Sequence, residues 1–138
     1  MPLIVDGNNL LGERRDDGAR RLLVAEIARL AARERRRIVV VFDGPPPPHR
    51  FASVNTHFSG PGKSADTWIL DFLREQTRPR EWTVVTDDRQ LGDRCRHLGA
   101  RVERRRAFRE RLATDRKAEK PTGPVDVEDW EDYFGTRS

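Results

Sequence analysis

Four short segments of this chain each place an acidic residue where an apolar run or a loop gives way to a turn or helix. The segments are Val5-Asp6-Gly7-Asn8-Asn9, Val41-Phe42-Asp43-Gly44, Gly62-Lys63-Ser64-Ala65-Asp66 and Val85-Thr86-Asp87-Asp88. In open α/β sheets, ligands bind at the carboxyl ends of the strands. We therefore predict that the four segments converge on one small volume, as the acids of a metal-dependent nuclease would.

Each acid also has an ordinary structural explanation when it is taken alone. Asp66 would lie in the first turn of a helix, where the helix dipole favours a negative charge by about 0.3 to 1 kcal/mol. Asp87 could cap the next helix, with Gln90 as its capping-box partner. Asp43 followed by Gly44 suits a turn. The chemical interpretation therefore depends on the acids lying together.

Carboxylates brought together would repel one another, and a cation would remove that penalty. At about 4 Å and an effective dielectric near 20, the repulsion is roughly 4 kcal/mol per pair. Carboxylate oxygens suit Mg²⁺ or Mn²⁺, whereas the three scattered histidines and the single cysteine form no zinc pattern. We therefore predict a Mg²⁺ or Mn²⁺ site that promotes phosphodiester hydrolysis.

Roles follow for the residues of the four segments. The predicted catalytic and metal-binding residues are Asp6, Asp66 and Asp87, and the predicted supporting residues are Asn8, Asp43 and Asp88. Asn8 could orient a water molecule or a phosphate oxygen. Lys63 and Ser64, at the start of a predicted helix, are placed to bind the substrate phosphate.

Apolar patterns predict the elements that must position these residues. The expected strands are Leu3-Ile4-Val5, residues 37–42, 53–58, 81–86 and 100–103, and the expected helices are residues 18–36, a helix opened by Ser64, residues 88–98 and a short basic helix at 105–113. The direction of the third strand is left open. Alternation of strands and helices predicts an α/β fold, a mostly parallel sheet with helices on both faces.

The 138 residues are about the length of one domain, and charge is distributed unevenly along them. The 27 Lys and Arg residues outnumber the 23 Asp and Glu residues, which gives a net charge of +4. From Thr114 onward seven acids face four bases, a net −3, so residues 1–113 carry +7. Arginine clusters in residues 33–37 and 101–111 suit a polyanion such as RNA, and Arg104 and Arg105 are predicted to bind it. Solvated helix faces are the alternative explanation.

Composition also divides the chain and suggests its compartment. We predict a domain over residues 1–113 and a linker with an acidic aromatic tail over 114–138, which docks on the domain or binds a partner. The sequence shows neither a signal-peptide pattern nor a membrane span. Cys95 is the only cysteine, so a cytoplasmic protein with a buried thiol is expected.

Taken in order, the four segments resemble the YacP-like branch of the NYN domains, relatives of the PIN-domain nucleases. The resemblance covers about residues 2–113 and implies a Rossmann-like three-layer sandwich with a five-stranded sheet of order 3-2-1-4-5. It also implies a Mg²⁺-dependent endoribonuclease, with messenger RNA at the ribosome as a candidate substrate. Asp6, Asp66 and Asp87 fall on the acidic positions of the family, with Asn8 and Asp43 beside them.

Other functions are weighed against this one. Gly60-Pro-Gly62-Lys63-Ser64 lacks the first glycine of a P-loop, because His57 occupies that position, so no nucleotide cofactor is expected. A phosphoaspartate enzyme or a receiver domain would need a second acid near Asp6, where the chain has Asn8. The serious alternative is an RNA- or ribosome-binding module that keeps the acids without cutting, because phosphate contacts give affinity without chemistry. The oligomeric state stays open.

Overall fold

A computed structural model describes residues 1–14, 16–48 and 55–119 of the chain. The strands are β1 (Leu3–Asp6), β2 (Ile38–Phe42), β3 (Asn55–Phe58), β4 (Thr83–Val85) and β5 (Arg101–Glu103). The helices are α1 (Gly7–Leu11), α2 (Asp17–Glu34), α3 (Ala65–Arg74), α4 (Arg89–His97) and α5 (Arg105–Glu119), with a short 3-10 helix at Pro79–Glu81.

The five strands form one parallel sheet in the order β3-β2-β1-β4-β5. This confirms the predicted fold and settles the direction of β3, which pairs parallel to β2. Val5 lies opposite Val40 of β2 on one side and Val85 of β4 on the other. Because all strands run the same way, the polar residues that follow them lie along one edge of the sheet.

Continuous apolar sequence explains the two central strands. Every residue of β1 and β2 is buried, as expected for strands covered on both faces. Alternate residues along each strand enter different cores: Leu3 and Val5 pack with α2 and α5, whereas Ile4 packs with α3 and α4. The acidic edge thus stands on a rigid, doubly covered sheet.

Helix α3 begins as the sequence predicts. Ser64 is its N-cap, with a side chain that accepts a hydrogen bond from the Thr67 N–H at 3.2 Å. Ala65 and Ile69 lie on the buried face of the helix. That register fixes Asp66 in the first turn, at the carboxyl edge of the sheet.

Several boundaries differ from the sequence prediction. Helix α1 was not predicted, because the Gly-Asn-Asn sequence that opens it is typical of a turn. The last helix runs to Glu119 instead of ending near residue 113. Residues 53–54 of the predicted third strand and the tail from residue 120 lie outside the described residues. Within the described part of the chain, no helix is long and apolar enough to cross a membrane.

Candidate active site

Asp6 stands at the centre of the acidic edge, at the end of β1. The residue is only 5% exposed. Its Oδ2 accepts a hydrogen bond from the Thr86 hydroxyl at 2.9 Å. A carboxylate in the middle strand of the sheet is thereby held in a fixed orientation.

Burial sets the protonation of Asp6. Loss of solvent raises the pKa of its carboxyl to about 6, from an ordinary value of 3.8. The Thr86 hydrogen bond opposes that rise, whereas the negative charges of Asp66 and Asp43 add to it. The Asp6 carboxyl is therefore a group that can gain or lose a proton close to neutral pH.

Asp66 faces the same group of acids from the start of α3. Burial raises the pKa of its carboxyl, and the charges of Asp88 and Asp43 raise it further, whereas Arg94 lowers it. Within the described residues its side chain has no hydrogen-bond or ion-pair partner. Asp66 is thus a half-buried carboxylate whose oxygens remain available.

Asp43 and Asp88 lie near Asp66, and each also accepts a hydrogen bond from a backbone N–H at the start of a helix. Asp43 Oδ1 accepts from the Ala65 N–H at 2.6 Å and so fixes the start of α3. Asp88 is the N-cap of α4 and accepts from the Leu91 N–H at 3.1 Å. The suggestion that Asp87 caps this helix was wrong, because the Asp87 carboxylate is instead bonded to Arg105.

Asp87 has a different environment from the other acids. Its Oδ1 accepts from the Arg105 backbone N–H at 2.8 Å, and its Oδ2 lies 3.5 Å from the Arg105 Nε. Its own N–H donates to the Asn9 side-chain oxygen at 2.9 Å. The structure brings Asp66 into electrostatic contact with Asp6, Asp43 and Asp88, and it pairs Asp87 with the start of α5. The catalytic role of Asp87 stays a prediction.

The predicted substrate-binding residues also differ from one another. The Lys63 ammonium lies 3.4 Å from Asp71, in a partly exposed ion pair, and the Ser64 hydroxyl is used in capping α3. Arg105 is held by Asp87 and by the Asn9 carbonyl, which its Nη1 contacts at 2.9 Å. Arg104 is exposed and has no ion pair within the described residues.

The Asn8 side chain joins two loops of the site. Its oxygen accepts from the Asp43 backbone N–H at 2.8 Å, and the residue is 6% exposed. Its amide N–H groups remain for a water molecule or a phosphate oxygen.

Two residues of the motifs were given no role from sequence, although each positions the site. The Thr86 hydroxyl donates to Asp6 and accepts from the Asp88 N–H at 3.1 Å. Asn9 contributes its side-chain oxygen to the loop that carries Asp87. The sequence did hold a signal for such roles, because a polar residue beside a motif acid at the end of a buried strand is expected to be buried and hydrogen-bonded.

The donor set agrees with a hard divalent cation. Among the described residues, no group of three or more His, Cys, Asp or Glu side chains forms a ready-made metal cage. Magnesium does not require one, because it keeps several waters and is typically held by one or two carboxylates. Buried Asp6 and the unpartnered Asp66 supply carboxylates of that kind. These residues fit a hydrated Mg²⁺ or Mn²⁺ ion.

The YacP-like NYN domain model matches residues 3–128, which is most of the chain. The chain belongs to the YacP-like NYN domain family. This membership confirms the resemblance seen in the four motifs and relates the chain to the PIN-like nucleases. No curated protein matches the sequence.

Two crystal structures of a YacP protein share the fold of this NYN domain. Rae1 (YacP) from Bacillus subtilis superposes with a TM-score of 0.70 at 22% identity, over 99% of this chain and 92% of that chain. A tryptophan-to-leucine mutant of the same protein gives a TM-score of 0.71 at 23% identity, over 85% and 77% of the two chains. At these identities the similarity establishes the fold alone.

Proposed function

We propose that this chain is a Mg²⁺- or Mn²⁺-dependent endoribonuclease that hydrolyses RNA phosphodiester bonds. The observation that carries the proposal is buried Asp6 in electrostatic contact with Asp66 at the carboxyl edge of the sheet, in a chain of a nuclease-related family. Burying like charges together costs free energy that a purely structural role would not require.

Asp6 and Asp66 are the residues that would hold the ion, with Asp87 as the third predicted ligand. When bound, the ion would supply Lewis-acid chemistry by neutralising charge on the scissile phosphate and making water a better nucleophile at neutral pH. The Asp6 carboxyl has a pKa of about 6 before any ion is bound, so it is ionised above neutral pH and available as an oxygen ligand for the cation. Thr86 fixes the orientation of that carboxyl, and the Asn8 amide N–H groups would orient a phosphate oxygen.

The basic body of the chain supports RNA as the substrate. Residues 1–113 carry a net charge of +7, which favours association with a polyanion. We propose messenger RNA at the ribosome as the substrate and the cytoplasm as the compartment.

Cleavage of a mixed single-stranded RNA pool tests the proposal. We expect wild type to cut internally with Mg²⁺ or Mn²⁺ and to stop when EDTA is added. Asp66→Asn should cut at least about 100-fold more slowly. Glu75→Gln is the matched control, because it removes one negative charge from the exposed far end of α3. Retained cleavage in Asp66→Asn would contradict the assignment, and RNA binding without any cleavage by wild type would favour a non-catalytic module.

A further inference from the structure

A cavity of about 250 Å³ opens beside the acidic cluster, between α4 and the ends of β4 and β5. Its polar lining comes from Asp87 and Asp88 after β4, from α4 and from Arg104 after β5. Val102 and Gly92 give it a partly apolar wall. Thr86, whose hydroxyl donates to Asp6 at 2.9 Å, also lines the cavity, so the cavity adjoins the proposed catalytic carboxylates.

Three of the six charged side chains that line the cavity have an ion-pair partner. Arg96 and Asp93 pair with each other at 3.3 Å. Asp87 is bonded to Arg105, which does not line the cavity. Asp88 uses one carboxylate oxygen to cap α4.

Arg89 and Arg104 differ from these residues. Both side chains are exposed, and neither has an ion pair or hydrogen bond within the described residues. They approach the cavity from separate elements, Arg89 at the first position of α4 and Arg104 directly before α5. Two unpaired guanidinium groups at one cavity match the geometry and charge of a phosphate.

We propose that this cavity is an RNA subsite in which Arg89 and Arg104 hold the phosphate of a nucleotide next to the one that is cut. The inference rests on the proposed function, because it assigns the path of the RNA strand past the acids. Gly92 and Val102 would contact the sugar or base, which gives the cavity contacts beyond charge alone.

Binding of a short fluorescein-labelled single-stranded RNA, followed by anisotropy in EDTA, tests the subsite without cleavage. Arg89→Ala and Arg104→Ala should each weaken binding severalfold and reduce the slope of log K against log salt concentration by about 1. Lysine at either position should restore part of the affinity, because it supplies the charge without the planar fork. Arg80→Ala is the control, an exposed arginine before the amino end of β4.

A second variant tests the cavity without changing the charge. A Cβ at Gly92 would lie 3.5 Å from Val102 Cγ1 and 3.8 Å from Arg96 Nη1, which are ordinary van der Waals contacts with two cavity-lining residues. Gly92→Leu should therefore weaken RNA binding while leaving the salt slope unchanged. Wild-type unfolding midpoints for all these variants would exclude misfolding.

The outcomes separate this inference from the proposed function. If wild type binds RNA through Arg89 and Arg104 but does not cleave it, the RNA-binding role of the cavity is supported and the proposed nuclease activity is rejected. Cleavage that is indifferent to Arg89→Ala, Arg104→Ala and Gly92→Leu would reject the subsite alone, as would equal weakening by Arg80→Ala. Absence of RNA binding by wild type would reject both.

Discussion

Side chains at the acidic edge have two roles: some hold the loops together, and Asp66 is left available for a ligand. Asn8, Asn9, Asp43 and Thr86 join neighbouring loops by hydrogen bonds that span between 2 and 80 positions of the sequence. Asp66 makes no such bond within the described residues. The motifs thus build a rigid frame and leave a carboxylate free inside it, as a site that must bind a ligand requires.

Asp6 should destabilise the folded protein at neutral pH. Its folded pKa of about 6 exceeds its unfolded value, so the native state binds more protons between about pH 4 and 6 and loses stability as the pH rises through that window. The full cost above pH 7 is about 3 kcal/mol. In EDTA, urea unfolding should show Asp6→Asn more stable than wild type at pH 7.5, with the difference disappearing near pH 4.

Two controls apply to that measurement. Glu75→Gln should leave the unfolding free energy nearly unchanged, because its carboxylate is exposed. Mg²⁺ should stabilise wild type more than Asp6→Asn, because the ion compensates the buried charge. An Asp6→Asn protein that is less stable than wild type at pH 7.5 would contradict the desolvation argument.

Thr86 should tune the acid limb of activity. Thr86→Val keeps the shape of the side chain but removes its hydrogen bonds to Asp6 and to the Asp88 N–H, and loss of the first should raise the pKa of the Asp6 carboxyl further. The acid limb of the cleavage rate should then move to higher pH, whereas Thr86→Ser should keep the wild-type profile. Rates measured between pH 5 and 8 give the answer, and an unmoved limb in Thr86→Val would exclude Asp6 as the titrating group.

At the scale of elements, α5 is fastened to the site by its first residue. The Arg105 side chain bonds the Asn9 carbonyl at the end of the β1 motif and the carboxylate of Asp87. Arg109 also donates to the Leu10 carbonyl. The loop after β4, helix α1 and helix α5 therefore meet at one arginine.

Removing that arginine should loosen the meeting point. Arg105→Ala loses the two side-chain contacts but keeps the backbone bond to Asp87, so we expect a loss of about 1 kcal/mol in the free energy of unfolding. Arg106→Ala is the matched control, because its pair with Glu110 is highly exposed and worth little. Equal effects of the two substitutions in a urea titration would show that Arg105 is a solvated side chain.

The elements that the sequence predicts well are those with a local signal. The apolar runs of β1 and β2 and the Ser64 cap of α3 are local, and the structure confirms them. The choice of Asp88 over Asp87 as a cap depends instead on contacts with Asn9 and Arg105, which lie far along the chain. The sequence predicts that the acids converge, because each follows a local strand or helix signal. It does not predict that Asp87 pairs with Arg105, because that contact joins residues 18 positions apart.

At the scale of the whole molecule, a basic domain continues into an acidic segment. Residues 120–138, outside the described part of the chain, carry five acids and two bases. Their negative charge should repel RNA from the body of the protein, since electrostatic attraction depends on the summed field. The length over which this repulsion acts is set by salt, about 10 Å at 0.1 M and 3 Å at 1 M.

Deleting residues 120–138 should therefore tighten RNA binding at low salt by raising the net charge from +4 to +7. The advantage over the full chain should shrink as salt increases, because screening removes the repulsion. A full-length control with the five tail acids changed to Asn and Gln carries a net charge of +9 and should bind RNA at least as tightly as the deletion at low salt. Anisotropy titrations at several salt concentrations would measure both, and a deletion that binds RNA no better at low salt would show that the tail exerts no electrostatic repulsion on the bound RNA.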